Sequence, residues 1–361
     1  MSKEDDNIYE TFEASLSRSH KLEQDLAKNP KRYRVLTGDR PTGSLHIGHL
    51  FGSLENRVKL QNMGVETFVV IADYQVLTDR DSCENISENV KQLTLDYLAI
   101  GLGPDNGRTH IFPHSHVPEL HQLLVPFLTL VSNAELDRNP TVKDEIQASG
   151  LKRVNSGMYT YPVHQAADIL FCKGNVVPVG KDQLPHLELC RTIARRFNSR
   201  YAKGKKIFPE PVGLLSKAPL ILGLDGSQKM SKSRGNAVML CASEDETSRL
   251  IKKAKTDVNR IITYDPERRP EIANLLRIIS LSTGRSPEEI AEEIGDRGAV
   301  KLKELVVDSL NSYLVTIRAR RREIEKDSSY VRQVLVRGIN KAREEGAKTL
   351  EEVRYVMNMK I

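Results

Sequence analysis

Two stretches of this 361-residue chain carry residue types that could act on a polyanion. One is Lys229-Met230-Ser231-Lys232-Ser233, between Asp225-Gly226-Ser227 and Arg234-Gly235-Asn236. Glycine and asparagine at this density predict a loop. Two lysines on a mobile loop suit closing over a polyanion and meeting charge as it develops. Taken alone, such a segment is more often a solvated basic turn. The other stretch is Gly38-Asp39-Arg40-Pro41-Thr42-Gly43-Ser44-Leu45-His46-Ile47-Gly48-His49. It follows a strand candidate, Tyr33-Arg34-Val35-Leu36, and precedes Leu50, Leu54 and Val58 at helical spacing. Strand, glycine-rich turn and helix in that order point backbone N–H groups and a helix N-terminus at an anion. Gly48 has no side chain to obstruct a base or ribose, and the imidazoles of His46 and His49 can donate to phosphate oxygens.

The surrounding elements predict the scaffold. Thr67-Phe68-Val69-Val70-Ile71-Ala72 reads as a buried parallel strand, placing Tyr74, Gln75 and Thr78 at its carboxyl edge, where doubly wound sheets bind ligands. A helix over 84–100 and a strand at Thr109-His110-Ile111-Phe112 continue the alternation of a parallel α/β sheet. The rhythm then breaks, and a helical insertion is expected over about 113–155. His110, His114, His116 and His121 fall near it; with no cysteine or paired carboxylate at ligand spacing, they read as surface and loop histidines, and no metal site is expected.

Beyond the insertion comes the stretch Gly157 to Leu170, in which Pro162 suits the first turn of a helix. Gln165 and Asp168 share one face of it, and Ala166 and Ala167 keep the wall thin. Asp168 precedes Ile169-Leu170-Phe171-Cys172 and should be at least half buried, so it needs a partner: an internal donor, or the N–H or O–H of a ligand. Val176-Val177-Pro178-Val179 is a strand, after which Gly180 permits close approach and Asp182 and Gln183 can accept from ribose hydroxyls. A helix over 184–197 carries Arg191, Arg195 and Arg196, which suit either phosphate or solvent. From about 241 helical periodicity takes over, with Ile272, Leu275, Leu276 and Ile279 on one face, and Arg318, Arg320, Arg321 and Arg322 as a basic edge.

His46-Ile47-Gly48-His49 and Lys229 to Ser233 resemble the two signatures of class I aminoacyl-tRNA synthetases, HIGH and KMSKS, in the right order. Tyr161-Pro162 with Gln165-Ala166-Ala167-Asp168-Ile169-Leu170, and Val177-Pro178-Val179-Gly180 with Asp182-Gln183, narrow the resemblance to the bacterial-type tryptophanyl-tRNA synthetases, over about 33–350. It implies a Rossmann-like parallel α/β catalytic domain over 31–240, a helical anticodon-binding domain over 241–361 and a helical N-terminal extension over 1–30. It also implies ATP, L-tryptophan and tRNA(Trp) as substrates, a homodimer, and a cytoplasmic setting. Arg40, Pro41, Thr42, Gly48 and His49 would line the ATP site with Gly180, Lys181, Asp182, Leu220 and the Lys229, Met230, Ser231, Lys232, Ser233 loop. Asp168 would accept the indole N–H, with Gln165 and Gln75 in the same pocket. His46, His49, Lys229 and Lys232 would act on the triphosphate, with Mg²⁺ held mainly by ATP phosphates.

The chain departs from that family's usual text. Many members have Asn at His49, so this chain has the fuller class I motif; many also have Met at Gln165 and His at Gln75, and these two polar changes in one pocket suggest a divergent subgroup. The sister tyrosyl-tRNA synthetases pair a Gln with an Asp around the ligand hydroxyl. They also carry a Gly-Gly-Ser-Asp-Gln run, where this chain has Val179-Gly180-Lys181-Asp182-Gln183, and a Tyr on the first strand, where Val35 and Leu36 stand. A non-charging RNA-binding paralogue is the other alternative; such chains usually lose a signature histidine or lysine, and all are kept here.

Composition agrees with this picture. At 28% charged and 39% hydrophobic residues, the chain is neither membrane-like nor disordered. No apolar run approaches a membrane span, and the polar start Met1-Ser2-Lys3-Glu4-Asp5-Asp6 gives no signal-peptide pattern. The net charge of +6 and pI of about 9.0 suit a polyanionic partner. Cys83, Cys172, Cys190 and Cys241 form no CxxC pair and read as reduced thiols.

Overall fold

The computed structural model describes residues 12–78, 83–149, 154–215, 220–226 and 229–360, with the side chains at 148, 149 and 233 excepted. Its sheet is parallel throughout: β1 Arg34–Asp39, β2 Glu66–Ile71, β3 Thr109–Pro113, β4 Val176–Val179 and β5 Val212–Leu215, in the order β3-β2-β1-β4-β5. Both faces of such a sheet are covered, so Thr67 to Ile71 of β2 are all buried. The first four strands lie where the apolar runs predict them. The fifth was not legible, being four residues long and containing Gly213. The winding reverses between β1 and β4, and their carboxyl ends frame a crevice.

Strand β1 runs on through Gly38 and Asp39, so the turn that follows is shorter than the glycine pattern suggests. The next helix, α2, opens as Ile47–His49, passes through a π turn at Leu50–Leu54 and continues as Glu55–Asn62. The spacing of Leu50, Leu54 and Val58 does not reveal that π turn, a rare feature that is frequent at functional sites. Helix α3, Ile86–Ala99, joins β2 to β3. The insertion is built of short helices, Pro118–His121, Leu124–Leu128, Asn133–Asp137 and Pro140–Ser149. Helix α4 is Ser156–Leu170. Pro162 lies inside it, not in its first turn, because the helix already starts at Asn155, whose side chain accepts the Met158 N–H at 2.8 Å. Helix α5 runs Leu184–Arg200. Its arginines are tied internally: Arg196 grips Glu135 at 2.7 and 3.0 Å, Arg191 pairs with Glu188 at 3.1 Å, and Arg195 with Glu210 at 3.0 Å.

Helices α6 Glu244–Lys252, α7 Pro270–Thr283, α8 Pro287–Ile294, α9 Gly298–Lys326 and α10 Ser328–Val356 follow. Leu275, Leu276 and Ile279 of α7 share a core with Leu302, Val306 and Leu310 of α9. The basic edge on α9 needs correction. Arg320 and Arg322 are exposed, but Arg318 and Arg321 are buried. Arg318 donates to Asn311 and Thr247, and Arg321 to Asp96 at 2.8 Å. Helix α10 turns back and packs along β3, and Thr349 donates to the Phe171 carbonyl at 2.6 Å.

At the other end, α1, Phe12–Lys28, lies against β5. Leu22 and Leu26 are buried with Val35, Val176 and Leu214, and Ser19 Oγ accepts the Leu215 N–H at 2.9 Å. That part of the N-terminal extension therefore packs on the body; residues 1–11 and Ser227 lie outside the described residues. Among the described residues, no helix is long and apolar enough to cross a membrane.

Candidate active site

The crevice at the β1–β4 switch is a cavity of about 780 Å³. Arg40, His46, Gly48, His49, Gln75, Gln165, Asp168, Gly180, Lys181, Asp182, Leu220, Lys229 and Met230 all border it. Of the other residues singled out in the sequence, Pro41, Thr42, Ser231 and Lys232 stand on the turns beside it, and the Ser233 side chain is outside the described residues.

The two signature stretches meet. Met230 is 3% exposed and lies over Gly48: a Cβ at Gly48 would stand 3.4 Å from the Met230 Cβ and 3.0 Å from the His46 ring. Gly43 has φ +116°, and a Cβ there would meet Lys232 Nζ at 2.4 Å. The Lys232 ammonium thus sits on the turn that precedes the two histidines. Backbone bonds fasten the arrangement: Ile47 N–H donates to Val238 O at 3.0 Å and Leu240 N–H to Leu45 O at 2.9 Å.

The histidine rings pack at 3.8 Å between centroids. The His46 backbone N–H donates to His49 Nδ1 at 3.3 Å, so the His49 proton belongs on Nε2. Among the described residues His46 Nδ1 is buried and has no hydrogen-bond partner. Burial, with the charges of His49 and Lys229 adding to it, holds the His46 pKa down at about 3. Burial also lowers that of His49, against the pull of Asp39. Both shifts favour the neutral rings.

Sequence reasoning missed the groups that brace these stretches. Asp39, at the end of β1, accepts from Arg57 at 2.6 and 3.2 Å and from the Tyr97 hydroxyl at 2.5 Å. Burial works against this carboxylate, yet the Arg57 charge and these hydrogen bonds hold its pKa at about 2. Asn236, 4% exposed, organises the lysine loop: its Oδ1 accepts the Ser231 N–H at 2.8 Å and its Nδ2 donates to Asp225 at 3.0 Å. Its place in Arg234-Gly235-Asn236 was the available signal. Asp96 is fully buried; one oxygen accepts the Leu45 N–H at 2.6 Å and the other accepts from Arg321 of α9. The helical half is thereby linked to the turn before His46.

On the opposite wall Asp168 is 2% exposed. The sequence left its partner open; the structure supplies His114, whose Nδ1 lies 3.0 Å from Asp168 Oδ1. The reading of the histidines as surface and loop groups is thus overturned for His114, which is fully buried behind β3, while His121 and His164 are half-buried beside it and His116 is exposed. Burial was invisible because His121 and His164 reach the cluster from different elements. His114, His164 and Asp168 have ligand-type atoms within 4.8 Å of one another.

The sequence profile of tRNA synthetases class I (W and Y) matches residues 28–315. The tryptophan–tRNA ligase of Clostridium longisporum is 41% identical over 336 residues, covering 90% of this chain and 96% of its own length. That of Streptococcus pyogenes serotype M1 is 42% identical over 334 residues, covering 90% and 98%. The crystal structure of the Campylobacter jejuni tryptophanyl-tRNA synthetase, complexed with ADP and tryptophan, superposes with a TM-score of 0.77 at 29% identity, covering 90% of this chain and 99% of that one. The profile spans the sheet, both signature stretches and most of the helical half, and the chain belongs to the class I (W and Y) tRNA synthetase family.

Proposed function

We propose that the protein is a tryptophan–tRNA ligase, which activates L-tryptophan with ATP and transfers it to tRNA(Trp). The observation that carries this is a single cavity bordered by His46, His49 and Lys229 on one side and by a buried carboxylate acceptor, Asp168, on the other. Identity of 41–42% to tryptophan–tRNA ligases favours tryptophan over tyrosine and over a non-charging role.

The carboxylate of the amino acid attacks the α-phosphorus of ATP; a P–O bond forms and the bond to pyrophosphate breaks. No protein nucleophile is required, so the residues act by positioning and by meeting charge. His49 donates from Nε2 to phosphate oxygen, and the His46 ring packs beside it at 3.8 Å. Lys229 and Lys232 meet the charge of departing pyrophosphate. Gly180, Lys181, Asp182 and Leu220, with Arg40, Pro41 and Thr42, border the nucleotide, and Gln165 and Gln75 flank the indole. Asp39 and Asp168 are committed to Arg57 and His114, and Mg²⁺ arriving with ATP would be held mainly by the phosphate oxygens, where it would neutralise charge. No metal is proposed at the histidine cluster. The aminoacyl group then passes to the terminal adenosine 2′-hydroxyl. Residues 31–240 form the catalytic part and 241–361 the anticodon-binding part, with α10 returning to the sheet. The protein works in the cytoplasm as a homodimer.

Charging of a tRNA(Trp) transcript with labelled tryptophan tests the reading. Esterification of that tRNA with tryptophan and not tyrosine is expected. A protein that forms adenylate but esterifies no tRNA would refute it.

A further inference from the structure

Behind Asp168 stands a network of three histidines that the mechanism above leaves unused. His114 follows β3, His121 closes the first short helix of the insertion, and His164 lies one turn before Asp168 on α4. Their protons can be assigned from partners that have no choice. The Tyr74 backbone N–H can only donate, and it points at His114 Nε2 from 3.0 Å. The His114 proton is therefore on Nδ1, facing Asp168. The His114 carbonyl can only accept, and His121 Nε2 lies 2.7 Å from it, so His121 is bare at Nδ1. His164 Nε2, 2.9 Å from that nitrogen, must donate to it.

We propose that His114 is a positioning residue of the amino-acid pocket: its Nδ1–H occupies one oxygen of Asp168 and leaves the other oxygen to accept a ring N–H from the substrate. The inference rests on the tryptophan reading. The groups facing His114 are Asp168, Asp73 at 3.5 Å from Nε2, His121 and His164, with the Tyr74 ring 5.6 Å away. Asp73 is itself held by the Ser115 N–H and hydroxyl. Burial opposes charge on His114 while Asp168 and Asp73 favour it, with the net direction upward. The Tyr74 N–H at Nε2 opposes a second proton there, so the ring faces Asp168 with the single proton on Nδ1. Burial would push the Asp168 carboxyl up, but His114 outweighs it and the net direction is down. A metal bound at His114 Nδ1 would force the proton onto Nε2, against the Tyr74 N–H, so the geometry favours hydrogen bonding over ligation.

The test compares pyrophosphate exchange with tryptophan and with its benzothiophene isostere, in which sulfur replaces the ring N–H. The wild-type protein should prefer tryptophan in kcat/KM by about 10–100-fold, the value of a hydrogen bond to a charged acceptor. That preference should be flat from pH 8 to 6. His114→Leu removes the donor. The preference should collapse to within about threefold, mainly through the tryptophan KM, and fall further at pH 6 because burial now raises the unpartnered carboxyl. His114→Asn restores an N–H at the Nδ1 position and should recover the preference. A folded His114→Leu protein with the wild-type preference and pH profile would overturn the proposal. So would a folded His114→Asn protein without the preference, or a wild-type preference that decays between pH 8 and 6. Absence of any tryptophan-dependent exchange by the wild-type protein would instead overturn the tryptophan reading itself.

Discussion

Replacing Asp39 by asparagine removes the counter-charge of Arg57, whose side chain is 6% exposed, while keeping size and one acceptor oxygen. The Asp39 carboxyl is held from its ordinary 3.8 down to about 2, and its own side chain is 22% exposed, so screening is limited. That difference is worth roughly 2.5 kcal/mol. A buried guanidinium left without a partner raises the cost towards about 3–5 kcal/mol. Because the folded-state pKa is depressed, the contribution is fully present above about pH 4 and is lost as pH falls from there towards 2. Thermal unfolding of wild type and Asp39→Asn side by side should therefore show a drop of roughly 5 °C or more. The gap should be constant between pH 8 and pH 5. Since Asp39 ends the strand that launches the Arg40–His49 turn, the variant should also bind ATP more weakly. A difference below about 0.5 kcal/mol, or one that shrinks steadily between pH 8 and 5, would refute this reasoning.

Other perturbations follow from the same geometry. Lys232→Ala should lower kcat for tryptophan activation far more than it raises the ATP KM, since the lysine meets charge that develops late; stopped-flow activation separates the two. Gly43→Ala forces an L side chain to φ +116° against Lys232 Nζ, so it should cost about 1–3 kcal/mol in stability or, if the turn shifts, lose activation rate, read by melting and exchange together. Arg321→Met leaves fully buried Asp96 without its cation; it should destabilise by about 3–5 kcal/mol and, through the Leu45 N–H, raise the ATP KM although α9 lies outside the cavity.

What could be read from the chain were features whose chemistry dictates local residue type. A turn that must receive phosphate needs Gly43 and Gly48, and an alternating α/β sheet needs unbroken apolar runs such as Thr67 to Ile71. Pairings between distant residues were not legible. Asp39 finds Arg57 and Tyr97, 18 and 58 positions on, and Asp96 finds Arg321 at a separation of 225. Nothing in the local text of an arginine on a long helix tells a buried anchor from a solvated edge, so Arg318 and Arg321 looked like their exposed neighbours Arg320 and Arg322. His114 did offer a faint signal, since it stands directly after β3 at the edge where such sheets bind ligands. Its burial depends on α4 and the insertion closing over it.

The most direct measurement is amino-acid-dependent ATP–pyrophosphate exchange by the full chain with tryptophan, tyrosine or no amino acid. The account predicts exchange with tryptophan, little with tyrosine and none without amino acid. Exchange driven by tyrosine, or none with either, would contradict it.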